Sequence, residues 1–341
     1  MLTIVLVFPP FRKAFFSISP RSAKDVSVLA RHRLIWVDAV RGIAIIAVII
    51  IHVTYMFRFD VRGTDIIVND ILNNIFRFAV PVFFITAGML QPSVPMEWRA
   101  IGTYYRHRLV TLVVPYTLVC IVIIFVQGID TGEALALWGS GGISPPYWFV
   151  VVLFQLYLLY PFLQRFARRR YAAAFSFIFS YICYQLWWNW IGVVPIFPRF
   201  LFFFVWGMSM RQVCLSSRMT ATSLSPWIGI VFTYLIVTFS FPVHQYNARY
   251  LYGTAMFIIL AVLCQRGRKS AWVHGLASVG RRSLWIYLTH FFIVQYIYEY
   301  LPLDRMSYDF SVASMVFLTV PICIALAVLV DRIYRYCLIR R

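Results

Sequence analysis

Arg41 and His52 stand eleven residues apart in one apolar stretch, LIWVDAVRGIAIIAVIIIHVTYM (34–56). A guanidinium offers a planar fork of donors suited to phosphate, and an imidazole that titrates near pH 6.5 suits general-base work at neutral pH. On a helix, eleven steps of about 100° fall within about 20° of three full turns, so both side chains share one face, roughly 16 Å apart along the axis. Ionisable groups are costly at membrane depth unless paired or set in a polar cavity. That face therefore reads as part of a site reaching through much of a membrane. Asp38, three residues before Arg41, can pair with it. The plainer alternatives are a pair that only neutralises Arg41 near an interface, and a hydrogen-bonded interfacial His52. The shared face favours function.

Two further stretches carry polar groups of the same kind. Asp70, Asn73 and Arg77 follow an i, i+3, i+7 stripe, with Asn74 alongside. Such a stripe belongs toward a bundle interior, either as an interhelical hydrogen-bond seam or as a wall that binds an acceptor. Ser283, Tyr287 and His290 also lie on one helical face. His290 falls nearer mid-membrane, where a satisfied core histidine is the plain reading. Arg106, His107, Arg108, Arg281 and Arg282 cluster at the ends of apolar runs. Most such residues are membrane anchors, but some can clamp the phosphates of a donor molecule.

The elements that must position these groups are membrane helices. The chain has 341 residues, 62% hydrophobic and 13% charged, with mean hydropathy +0.78, well outside the composition of a soluble domain. Apolar runs of about 20 continuous residues exclude a β-barrel. The fold class is all-α: a polytopic bundle of about ten transmembrane helices at 34–56, 69–90, 108–128, 147–165, 171–190, 196–213, 226–242, 249–265, 280–300 and 311–334. With the N-terminus inside, the cytoplasmic segments hold 24 of the 31 Lys and Arg residues and the outer loops five, Arg41 and Arg77 lying within spans. That asymmetry places both termini in the cytoplasm.

The same clustering argues against nucleic acid as the partner of the net charge of +19. Residues 1–33 form a basic cytoplasmic leader able to lie on anionic lipid, 34–336 the membrane domain, and 337–341 a short basic tail. Trp187, Trp188 and Trp190 suit an interfacial aromatic belt. The six cysteines form no CxxC and read as small buried hydrophobes. No metal site is expected, and no internal repeat is visible.

Taken together, these stretches resemble the acyltransferase-3 family of bacterial membrane O-acyltransferases. WVDAVRGIAIIAVIIIH matches its Arg-x10-His signature with Arg41 and His52, and RFAVPVFFITAGML is similar to its R-x-x-V-P-x-F-F element. Further similarities are YYRHRLVTLVVPY (104–116), PYWFVVVLFQLYLLYP (146–161), PRFLFFFVWGM (198–208) and VGRRSLWIYLTH (279–290). The resemblance covers about residues 34–336. Ala87 stands where that family commonly has Ser, and no hydrolase-like extension follows.

The resemblance implies transfer of an acyl group, acetyl being the usual one, from acyl-CoA to a sugar hydroxyl of an exported or lipid-linked envelope polysaccharide in the bacterial inner membrane. Membrane lipid and glycan-assembly enzymes are the implied surroundings. By the resemblance, His52 is the catalytic histidine and Arg41 its partner, while Arg77 and His290 match motif positions of unsettled role. Phosphates of the donor would meet Arg41, Arg106, Arg108, Arg281 and Arg282. Asp38, Asn73, Arg77, Tyr287 and His290 would line the acceptor side or pore. No permanently bound cofactor is implied. A transporter or flippase of a lipid-linked sugar is the alternative, since polar stripes also suit a translocation path; a membrane scaffold is the third.

Overall fold

The computed structural model describes residues 34–58, 64–190, 197–215, 222–240, 245–301, 307–334 and 336. The leader 1–33, the tail 337–341 and the side chains of Trp187, Trp188 and Trp190 lie outside the described residues. The described residues form helices and no strand. In chain order these are α1 (Ile35–Phe57), α2 (Thr64–Phe76), α3 (Ala79–Met89), α4 (Trp98–Arg108), α5 (Val114–Gln127), α6 (Thr131–Ser140), α7 (Trp148–Phe166), α8 (Ala172–Trp190), α9 (Leu201–Leu215), α10 (Ser225–Ser240), α11 (Gln245–Arg266), α12 (Ala271–Gly280), α13 (Ser283–Tyr300) and α14 (Tyr308–Tyr334).

Five described stretches are long and apolar enough to cross a membrane: Ile35–Phe57, Asp65–Met89, Trp98–Gln127, Pro145–Phe166 and Tyr308–Tyr334. The other five expected spans coincide with α8, α9, α10, α11 and α13, which are shorter or less apolar. The chain is thus a helical membrane protein.

α1 is the central strut. It is apolar nearly all round, and a helix of that kind must be covered on every side. It packs against α2, α3, α11, α12, α13 and α14. The closest approach is to α12, where the chain has no room for side chains. A Cβ added at Gly42 would run into the Leu276 carbonyl, and one at Gly280 into the Asp38 carbonyl oxygen. α3 and α9 meet in the same way: Gly88 faces the Phe204 backbone and Gly207 the Ile85 backbone. Small residues let membrane helices approach until backbones touch.

Four expectations about the elements change. The second span, expected over 69–90, begins at Thr64 and breaks at Arg77–Phe78, because Pro81 has no N–H to give the Arg77 carbonyl. The third helical run begins at Trp98 rather than 108 and passes through a π-helical turn, Leu109–Val113, where Pro115 likewise leaves the Thr111 carbonyl unmatched. The loop expected over 129–146 holds α6, whose N-terminus is capped by the Asp130 carboxylate accepting from Gly132 N at 2.8 Å. The basic loop expected before the ninth span holds α12, which is too short to span but buries Val273, Ala277 and Gly280 against its neighbours.

Candidate active site

α1 carries both ends of the site. Near its start, Arg41 Nη2 donates to Ser283 Oγ across 2.8 Å. Ser283 is buried and opens α13, so this bond joins the first helix to the thirteenth. Three turns on, His52 Nδ1 lies 2.9 Å from the Val48 carbonyl oxygen and 3.2 Å from His290 Nε2. The two rings meet edge-on with centroids 4.9 Å apart, and Phe291 closes on His52 edge-on at 5.4 Å. His290 is fully enclosed, with its Nδ1 2.7 Å from the Tyr287 carbonyl oxygen. His52 is only partly covered.

The α2 stripe reaches the same end of α1. Asn73 Nδ2 donates to Thr54 Oγ1 at 2.8 Å and to the Ile51 carbonyl at 3.1 Å. Its Oδ1 accepts from Arg77 Nε at 2.8 Å and Arg77 Nη2 at 2.5 Å. One amide thus ties α2 to α1 with its donor end and aims a guanidinium with its acceptor end. The interhelical hydrogen-bond seam expected of this stripe is present. Asn74 accepts from Arg249 Nη2 at 3.2 Å and donates to the Asp70 carbonyl at 2.9 Å, while Asp70 itself is exposed.

At the Arg41 end the bundle forms a partly open cavity of about 540 Å³. Its polar wall is Arg41, Ser283, Gln91, His107, Arg108 and Thr111, and Phe83, Leu112, Phe149 and Leu153 are among its apolar lining. Arg108 is placed by three contacts: Nη2 donates to Gln91 Oε1 at 2.7 Å, and the guanidinium lies over Tyr157 at 4.6 Å and Tyr104 at 5.0 Å. Its Nε is buried with no protein partner. Gln91 is held by donating to the Ala87 carbonyl at 2.6 Å and accepting from the Tyr104 hydroxyl at 2.9 Å. A cavity lined by two guanidinium groups and by aromatic rings can hold an anionic head with an apolar arm.

Tyr287 belongs to both regions. It lines the cavity, and its ring lies 5.5 Å from that of His290. Its hydroxyl donates to the Pro146 carbonyl, while the Tyr147 hydroxyl donates to the Leu288 carbonyl. The reciprocal pair locks the Pro145–Tyr147 turn onto α13.

Of the residues singled out in the sequence, the structure brings together Arg41, Arg108 and Tyr287 around the cavity, and His52, His290, Asn73 and Arg77 at the far end of α1. Asp38 is buried where α12 crosses α1. Arg106 is exposed, and Arg282 Nη1 turns back to Ser278 Oγ and the Ser278 carbonyl, both at 3.0 Å. Neither these two nor Arg281 lines the cavity. Gln91 and Thr54 were not anticipated. Gln91 carried one signal, a lone amide directly after the apolar run RFAVPVFFITAGML. Among the described residues, no group of three His, Cys, Asp or Glu side chains stands close enough to hold a metal ion.

A family model described as an acyltransferase domain, of the acyltransferase-3 type, matches residues 34–331. No curated protein matches the chain significantly. No solved structure does either.

Proposed function

Because the chain belongs to this family of membrane acyltransferases, we propose that it moves an acyl group, acetyl in the first instance, from acyl-CoA to a sugar hydroxyl of an exported or lipid-linked envelope glycan. The protein crosses the inner membrane ten times, with both termini in the cytoplasm, the arrangement that its Lys and Arg distribution favours. The Arg41 end of α1 then faces the cytoplasm, where acyl-CoA is available, and the His52 end faces the side where the glycan arrives.

One observation carries this reading: α1 runs from a guanidinium-lined cavity at its Arg41 end to His52 at the other, where His52 meets the buried His290 of α13. Phosphates of the donor pair with Arg41 and Arg108, whose planar forks suit two oxygens at once. The pantetheine arm extends along the aromatic wall toward Tyr287. His52 accepts the proton of the sugar hydroxyl as the oxygen attacks the thioester carbonyl carbon. The carbon–sulfur bond breaks, and the same proton goes to the departing thiolate. The products are the acyl ester of the sugar and free CoA. Arg77, oriented by Asn73, stands on the acceptor side, where a cation can pair with the negative groups of a lipid-linked or acidic glycan.

The test is reconstitution. Purified protein in liposomes, given labelled acetyl-CoA and a lipid-linked glycan, is expected to ester-link the label to sugar. Label retained on CoA across a panel of envelope glycans, or glycan moved across the bilayer without acylation, would contradict the proposal.

A further inference from the structure

We propose that His290 is a positioning residue for His52: a second acceptor that, together with the Val48 carbonyl, holds the hydrogen on Nδ1 of His52 and the ring in place, so that Nε2 takes the substrate proton. This rests on the reading of His52 as the base, and follows from the hydrogen-bond pattern around the two rings. A carbonyl oxygen can only accept, so a ring nitrogen bonded to one must carry hydrogen when the imidazole is neutral. His290 Nδ1 lies 2.7 Å from the Tyr287 carbonyl and is therefore the N–H of that ring. Its Nε2 is left as a lone pair, and that atom faces His52 Nδ1 at 3.2 Å. His52 Nδ1 in turn lies 2.9 Å from the Val48 carbonyl and must also carry hydrogen. One N–H is thus shared between a carbonyl and a second imidazole.

Only one assignment satisfies every contact. His290 has both nitrogens engaged and is fully enclosed, so it has no lone pair to offer a substrate. His52 Nδ1 is committed, and its Nε2 has no partner among the described residues. The proton-accepting atom is His52 Nε2. When it takes the hydroxyl proton, the new positive charge spreads to Nδ1–H, which already points at two acceptors. A histidine base oriented by a third group is the arrangement of hydrolytic triads. Here a neutral imidazole takes the place of a carboxylate, which suits a site inside a bundle, where an unpaired carboxylate would be costly.

The pair can be tested by exchanging the two functions of His290 separately. Gln places an amide oxygen near the position of Nε2 and keeps the acceptor. Asn reaches only as far as Nδ1 and loses it. Leu loses both. His290→Asn and His290→Leu are expected to lower kcat by about 10- to 100-fold, with the KM values for acetyl-CoA and glycan unchanged. His290→Gln is expected to recover most of that loss. Should the Leu variant not be recoverable from membranes, Gln against Asn decides alone. Gln impaired as much as Asn, or Asn as fast as the parent while His52→Ala is inactive, overturns the positioning role and leaves the base assignment standing. An active His52→Ala protein overturns both.

Discussion

Arg41 donates to Ser283 across 2.8 Å, joining residues 242 positions apart in the chain. The bond ties the start of α13 to α1, and farther along the same two helices His290 stands opposite His52. α1 and α13 thus carry the histidine pair and contribute Arg41, Ser283 and Tyr287 to the cavity, whose remaining wall comes from other helices of the bundle. Sites held on packed helices keep their geometry better than sites carried on loops.

Arg41→Lys keeps the charge but loses the planar fork. If donor phosphates pair with this residue, the change should lower kcat/KM for acetyl-CoA by more than about 10-fold, well beyond what a conserved charge would suggest. Ser283→Ala, which frees the guanidinium without removing it, should cost only about 3-fold. Steady-state kinetics with the donor varied would separate the two.

Arg108 lines the cavity and Arg106 does not. Arg108→Ala is expected to raise the KM for acetyl-CoA by about 10-fold or more, the loss of a charge-assisted bond. Arg106→Ala, on an exposed position, should shift it by less than about 2-fold. Equal effects would mean that general basicity at this end, and not the cavity, recruits the donor.

Asn73 and Arg77 should behave as one unit. Asn73→Ala removes the amide that orients the Arg77 guanidinium, so its effect on glycan KM should resemble that of Arg77→Ala. The double variant should be little worse than either single one, a non-additivity of about 1 kcal/mol or more in a double-mutant cycle. Strict additivity would show that Asn73 only joins α2 to α1.

Gly280→Ala places a Cβ against the Asp38 carbonyl oxygen. Backbone cannot move aside as a side chain can, so the α1–α12 contact must open, at a cost of about 1–3 kcal/mol. The expected readout is a lower Tm of the detergent-solubilised protein. Gly102→Ala, where an added Cβ meets nothing, should leave Tm unchanged or slightly raised.

Much of this architecture is legible from local pattern. The α1 face with Arg41 and His52, the Asn73–Arg77 stripe and the Ser283–Tyr287–His290 face all follow from helical periodicity, which is a property of neighbouring residues. What periodicity leaves open is the register between helices. The partner of His52 is 238 residues away, and it is set by backbone contacts at Gly42 and Gly280 that look like any other glycines in the sequence. The break after Arg77 is signalled by Pro81 but not by hydropathy, which does not record a lost backbone bond. α12 was obscured for the opposite reason: ten residues with charges on both sides read as loop, although one face is apolar and buried. Gln91 escaped attention because a lone polar residue at a helix end is ordinary until Arg108 and Tyr104 are seen to converge on it.

The most direct test of the account is single-turnover acylation by His52→Ala, with donor binding measured on the same preparation. The account predicts acetyl-CoA affinity within about 2-fold of the parent and acyl transfer to glycan slowed at least about 100-fold. Transfer at the parental rate by a variant that binds donor normally would contradict it.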